Sequence, residues 1–264
     1  METINETEQI PQYTLRKILM VWAAALPMGI LGWVVAPIFT QNSSAPGVER
    51  LAVLTVGLAW QFVLVLYLLY QETGSLQWAT LKDRLWLNPP RSMSTGETRG
   101  RLWWWLVPLI LLTTLFEMLL SGSVNKLWTS LFPFFAEPAG FSFGAALNTP
   151  EMRSKLVGAW GLYALFVVEA LFNTVLGEEL LFRGLLLPRM AGVFGKWDWV
   201  MNGLLFGLYH LHQPWGMLNS AIEGIFLLAL PSRYFRSSWF GIVVHSGQSI
   251  FFAILLLGLV LGLA

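Results

Sequence analysis

The sequence predicts an all-α protein, a polytopic bundle of about seven or eight membrane helices with a buried polar site. Of its 264 residues, 56% are hydrophobic and only 12% are charged, whereas a soluble domain has about 25% charged residues. Seven apolar runs approach the length of about 20 residues that a helix needs to cross a bilayer. Several of these runs contain ionisable side chains, which are costly in lipid and by default mark a functional site.

The predicted spans follow one another with short polar connections. They lie at 18–39, 51–70, 102–120, 156–190, 197–211, 216–231 and 238–263. The first run is too long for a signal-peptide core, so we interpret it as a span that stays in the mature chain. The fourth is long enough for a surface turn and a span. The aromatic segment 121–155 is expected to enter the membrane interface and would add an eighth element.

Loop charge predicts the orientation. The 71–101 loop carries five of the 16 lysines and arginines, and basic loops favour the cytoplasmic side. We therefore expect a multi-pass integral protein of the cell (plasma) membrane with its N-terminus in the cytoplasm. A net charge of +1 argues against a nucleic-acid partner, and the absence of cysteine excludes disulfides, thiolate metal sites and a cysteine nucleophile.

The fourth run contains two adjacent carboxylates and an arginine, Glu178, Glu179 and Arg183. On a helix, Glu179 and Arg183 are four residues apart and can pair. Glu178 points about 100° away from Glu179, because a helix has about 3.6 residues per turn. This spacing predicts that the arginine holds Glu179 and leaves Glu178 free for chemistry.

The later runs contain histidines at a matching depth. His210 shares a helix face with Phe206, and His245 shares one with Ser249, since each pair is four residues apart. Counted from the cytoplasmic ends of their runs, Glu178, His210 and His245 lie roughly 13–20 Å deep. We therefore expect these three side chains to converge on one layer of the bundle.

A carboxylate and two imidazoles in a buried pocket suit the activation of a water molecule. The same set, Glu178, His210 and His245, also matches the ligands of a zinc ion with one open position, so zinc is a candidate cofactor. We favour the metal-free alternative, because no carboxylate is evident in the sequence to orient each histidine. The helix-borne H-E-x-x-H motif and the G-x-S-x-G elbow are absent, and the only aspartates, Asp83 and Asp198, lie near loops.

Three segments together resemble the motifs of the CAAX prenyl protease and bacteriocin-processing family, also called CPBP or Abi. Residues 178–183, Glu-Glu-Leu-Leu-Phe-Arg, are similar to its EExxxR motif, and residues 206–210, ending in His210, are similar to its FxxxH motif. Residues 245–249 resemble its HxxxN or HxxxD motif, but Ser249 stands at the last position. Residues 151–264 thus resemble the family's catalytic core. Residues 1–150 form N-terminal helices and loops without a recognised motif, within one membrane-embedded domain.

The resemblance implies an intramembrane endopeptidase, often labelled a metalloprotease, that acts on a membrane-associated protein or peptide among membrane lipids. It implies that Glu178 activates the water with help from His210. His245 and Ser249 would stabilise the oxyanion, while Glu179 and Arg183 would brace the site. Other relatives act in bacteriocin immunity or as scaffolds. The alternative class is therefore a non-catalytic immunity or scaffold protein, or a transporter whose buried Glu and His relay protons.

Overall fold

The computed structural model describes residues 10–43, 46–92, 95–138, 141 and 155–263. Within these ranges the protein is a helical bundle without strands, and its β-bridge between Arg91 and Thr98 is isolated. The predicted all-α class is confirmed. Eight helices, α1 to α8, account for most of the described chain.

The first four helices precede the motif segments. Helix α1 covers Leu15–Thr40 and includes a π-helical turn at Leu31–Val35, and α2 covers Pro46–Thr73. The short α3 covers Trp78–Arg84. Helix α4 covers Gly100–Leu131, with a π-helical turn at Glu117–Ser121, and is followed by a 3-10 turn at Pro133–Phe135.

The last four helices contain the motif segments. Helix α5 runs from 160 to 189 and consists of Trp160–Leu171, π-helical Phe172–Gly177 and Leu180–Leu186, and 3-10 Leu187–Arg189. Short turns at Ala191–Phe194 and Gly195–Trp197 lead to α6, Asp198–Tyr209, and further 3-10 turns follow at His210–His212 and Pro214–Gly216. Helix α7 runs from 217 to 235 through a π-helical stretch at Gly224–Ala229, and α8 covers Trp239–Val260.

Four of these helices, α1, α2, α4 and α8, are long and apolar enough to cross a membrane by length and composition. A multi-pass membrane protein is therefore supported. The predicted spans at 156–190, 197–211 and 216–231 correspond to α5, α6 and α7, and their crossing of the membrane stays a prediction. The described beginning of the aromatic segment 121–155 belongs to α4, which continues without a break to Leu131. Residues 139–140 and 142–154 of that segment lie outside the described residues.

The C-terminal half of α5 is the centre of the bundle. Every residue from Leu180 to Met190 is buried. At its end, the Arg189 guanidinium donates from Nε and Nη2 to both oxygens of Glu72 on α2, at 2.9 and 2.8 Å. Tyr13 also donates to Glu72, at 3.4 Å, and burial raises the pKa of Tyr13 to about 12. The ion pair and this phenol fix α5 against the start of the chain and the end of α2.

Candidate active site

Glu178 and Glu179 lie between the two π-helical stretches of α5. Such turns close hydrogen bonds from residue i to i+5 and occur mostly as local distortions, frequently at functional sites. Both side chains are buried, with 2% exposure for Glu178 and 0% for Glu179. Carboxylates this deeply buried need hydrogen-bond or charge partners.

Glu179 joins α5 to α8 through a single oxygen. Arg183 Nη1 donates to Glu179 Oε1 at 3.0 Å, and His245 Nδ1 lies 3.0 Å from the same oxygen. The pairing of Glu179 with Arg183 therefore agrees with the helical spacing. The contact of Glu179 with His245 on α8 could not be predicted from that spacing. Because an ionised carboxylate only accepts hydrogen bonds, Nδ1 of His245 carries a proton and Nε2 is the atom left for a ligand.

Gly241 explains how α8 approaches Glu179 so closely. A Cβ atom at this position would collide with Glu179 Oε2, and it would lie 3.1 Å from Ser232 Oγ and 3.2 Å from Arg183 Cγ. The Gly241 amide donates to Ser232 Oγ at 3.1 Å, which fixes the start of α8 against the end of α7. The absence of a side chain at Gly241 therefore brings His245, one turn further on, within reach of Glu179.

Phe206 packs among the charged and imidazole groups. Its ring centroid lies 4.1 Å from Arg183 Cζ, a cation–π contact. The rings of His210 and His245 meet it edge-on, with centroids 4.7 and 6.3 Å away. Phe206 thus separates the two histidines and covers Arg183, which gives the aromatic member of its motif a physical role in packing.

His210 has its own orienting partner. Its Nδ1 lies 2.8 Å from the Phe206 carbonyl oxygen at the end of α6. Since a carbonyl only accepts, Nδ1 carries the proton and Nε2 presents a lone pair. No carboxylate was evident in the sequence to orient each histidine; in the structure a carboxylate, Glu179, holds His245, and a backbone carbonyl holds His210.

Neutral donors surround Glu178. With the amide nitrogen of Asn173 turned toward it, that nitrogen lies 3.2 Å from each carboxylate oxygen. The Tyr209 hydroxyl lies beside Glu178, and Gln61 Nε2 on α2 donates to this hydroxyl at 2.5 Å. Gln61 was missed by reasoning from motifs, although a glutamine inside an apolar run was itself a signal.

The contacts in the structure connect the predicted site residues in two groups. Glu179, Arg183 and His245 touch directly, while Glu178 and His210 are linked through the neighbouring residues Tyr209 and Phe206. The side-chain hydroxyl of Ser249 makes no hydrogen bond with any described residue, so the structure gives it no partner. Its neighbour Ser246 instead lies 2.9 Å, Oγ to Oγ1, from Thr174 on α5.

A second carboxyl cluster lies beside His245. Gln248 Nε2 donates to Glu223 Oε1 at 3.0 Å and to Glu117 Oε1 at 3.4 Å, and Asn219 Nδ2 donates to Glu117 at 3.4 Å. The cluster joins α4, α7 and α8. A cavity of about 10 Å³, enough for one water, lies between Glu223, Gln248 and His245.

The candidate zinc ligands Glu178, His210 and His245 face different partners in the structure. Within the part of the chain that the structure describes, no group of three or more His, Asp or Glu side chains is placed to hold a metal. The histidine nitrogens are oriented as metal ligands require, but Glu178 faces Asn173 and Tyr209.

Residues 159–251 match the model of the family described as type II CAAX prenyl endopeptidase Rce1-like. This segment contains all the motif residues from Glu178 to Ser249, and it confirms the resemblance seen in them. No curated protein and no solved structure matches the chain.

Proposed function

We propose, on the premise that residues 159–251 belong to the Rce1-like family of type II CAAX prenyl endopeptidases, that this protein hydrolyses a peptide bond within the membrane. The family is one of proteases, so a protease is the activity class that the match supports. The substrate we propose is the C-terminal region of a membrane-associated protein or peptide. The catalytic residues assigned below are part of the proposal.

Glu178 takes a proton from the attacking water, whose oxygen adds to the scissile carbonyl carbon. The oxyanion that forms accepts hydrogen bonds from donors on α8, His245 and Ser249. When the carbon–nitrogen bond breaks, the proton held by Glu178 passes to the leaving amine, so no proton is gained or lost overall. His210 Nε2, with its lone pair, holds the water by accepting its second hydrogen.

The shared oxygen of Glu179 is the observation that carries this proposal. One carboxylate contacts both Arg183 and His245 at 3.0 Å. Nδ1 of His245 points at Glu179, so Nε2 is the ring nitrogen left to face the substrate. A protonated His245 donates from Nε2, which is what an oxyanion requires. Glu179 and Arg183 therefore act on the reaction through the charge and orientation of His245.

A pair of peptides tests the activity. Two internally quenched fluorescent peptides share one CAAX-type sequence, and one is farnesylated on its cysteine while the other is not. Purified protein in detergent micelles should cleave the farnesylated peptide, and Glu178→Gln should abolish cleavage. Glu169→Gln is the matched control, since Glu169 lies on the same helix and acts on Glu178 through its charge alone, without a hydrogen bond to a residue of the site. Cleavage of both peptides alike would remove the prenyl requirement, and cleavage of neither by folded protein would favour the non-catalytic class.

A metal assay accompanies the peptide assay. We expect active protein to contain much less than one metal ion per chain by mass spectrometry of the elements. We also expect cleavage to survive a strong chelator. Stoichiometric zinc that is lost in His210→Ala together with activity would replace the metal-free mechanism with a zinc-bound water.

A further inference from the structure

Gln61 is a buried polar residue in the part of the chain that carries no family motif. It lies in the middle of α2, is 0% exposed, and falls outside the matched segment 159–251. Its Nε2 donates to the Tyr209 hydroxyl at 2.5 Å. A buried amide inside an apolar span is costly unless it has a specific partner, so this contact calls for an explanation.

The hydrogen bonds have a defined direction. A phenol has one proton to donate, and a carboxylate only accepts. If Tyr209 donated to Gln61, it would present a lone pair to Glu178. The Gln61 amide is therefore the donor to Tyr209, which leaves the phenol proton for Glu178, beside which Tyr209 lies.

The backbone fixes this chain of hydrogen bonds. Helix α2 touches α5 at Gly177, the residue before Glu178, where a Cβ would lie 2.9 Å from the Leu58 carbonyl oxygen and 3.5 Å from Gln61 Oε1. Gln61 thus packs beside Gly177, the residue before Glu178, and its amide contacts the phenol of Tyr209. Tyr209 in turn precedes His210 directly, so one contact sets the position of both.

We propose that Gln61 is a positioning residue of the active site, acting through Tyr209 to fix the Glu178 carboxylate. This rests on the function proposed above. The chain Gln61–Tyr209–Glu178 makes α2 part of the active site rather than only a packing partner. Without Gln61, the phenol is free to turn from Glu178, and the carboxylate loses an oriented donor while the substrate surface is unchanged.

The test compares Gln61→Leu, Tyr209→Phe and the double variant on the farnesylated peptide, with rates normalised to folded protein. Thr55→Val is the matched control, because Thr55 is a buried polar residue of α2 whose hydroxyl bonds only its own helix at Leu51. Each single variant should lower kcat by about tenfold to a hundredfold, the scale of one hydrogen bond to a charged group, with KM unchanged. The double variant should be no slower than the slower single variant.

Three results would overturn the proposal: unchanged kcat in both folded single variants, a change confined to KM, or effects that multiply in the double variant. If Gln61→Leu does not fold, Tyr209→Phe, which removes one oxygen atom, decides alone. Should wild-type protein cleave neither peptide, the proposed function fails separately. The hydrogen-bond chain is then tested by the unfolding temperatures of Tyr209→Phe, Glu178→Gln and their double variant. Non-additive shifts in unfolding temperature would support the chain, and additive shifts would refute it.

Discussion

Neutralising each of the two adjacent glutamates should have opposite signatures in stability and activity. Glu179→Gln leaves Arg183, which is 0% exposed, without its carboxylate, and it also removes the partner of His245. Breaking a buried ion pair by removing one partner costs about 3–5 kcal/mol in the free energy of unfolding. Glu178→Gln leaves no opposite charge uncompensated in direct contact, so its cost should stay below about 1.5 kcal/mol, the value of an ordinary hydrogen bond.

Thermal unfolding of the purified variants in detergent, followed by loss of the monodisperse size-exclusion peak, measures this difference. We expect Glu178→Gln to be inactive at near-normal yield and unfolding temperature, and Glu179→Gln to unfold at a clearly lower temperature. A double variant, Glu179→Met with Arg183→Met, should recover most of the stability, because apolar residues of similar volume often replace a buried pair without loss. Equal unfolding temperatures for the two Gln variants would refute the division of roles between the glutamates.

Three further predictions concern α8, the orientation and the second carboxyl cluster. Ser249→Ala should slow peptide cleavage by about a hundredfold or more, the usual effect of losing one oxyanion donor, while Ser249→Asn is tolerated; wild-type turnover in the Ala variant would exclude the donor role. A cysteine at Ser94, which lies outside the described residues, should react with an impermeant thiol reagent only from the cytoplasmic side, and labelling from outside would reverse the topology. Glu223→Gln should keep or raise the unfolding temperature, because it relieves repulsion between Glu223 and Glu117. Gln248→Leu should lower the unfolding temperature, because it removes the donor that both carboxyls share. The reverse order of unfolding temperatures would show that the two carboxyls do not share a site.

Regular helical spacing was sufficient to predict the local part of the site. The pairing of Glu179 with Arg183 depends on residues four apart on one helix, and the structure contains that pair at 3.0 Å. The contact of His245 with Glu179 spans 66 residues and depends on Gly241 allowing two helices to approach. Neither the distance between helices nor the packing at a glycine is encoded in spacing along one chain.

In the N-terminal half, too, the sequence predicts the helices but not the contacts between them. Its apolar runs predict α1, α2 and α4 correctly, because length and composition decide whether a helix can cross a bilayer. Which face of α2 meets the site depends on the π-helical turns of α5, and these are not evident from periodicity. Gln61 is a polar residue in an apolar run that was not among the predicted site residues, and its partner Tyr209 could be found only in three dimensions.

The two π-helical stretches of α5 also restrict how the chain can change in length. A π-turn holds one more residue than an α-turn, so deleting one residue from Phe172–Gly177 would let the backbone close a regular helix. Because a π-turn makes about the same revolution as an α-turn with one residue more, this deletion would leave Glu178 and Arg183 facing the partners that they now have. A deletion within α6, Asp198–Tyr209, which contains no π-turn, would instead rotate the residues on either side of it by about 100° relative to each other. One-residue deletions should therefore be tolerated in the first π-helical stretch of α5 and in connections such as 74–77, whereas a deletion within α6 should abolish activity because it turns Phe206 and His210 away from the site.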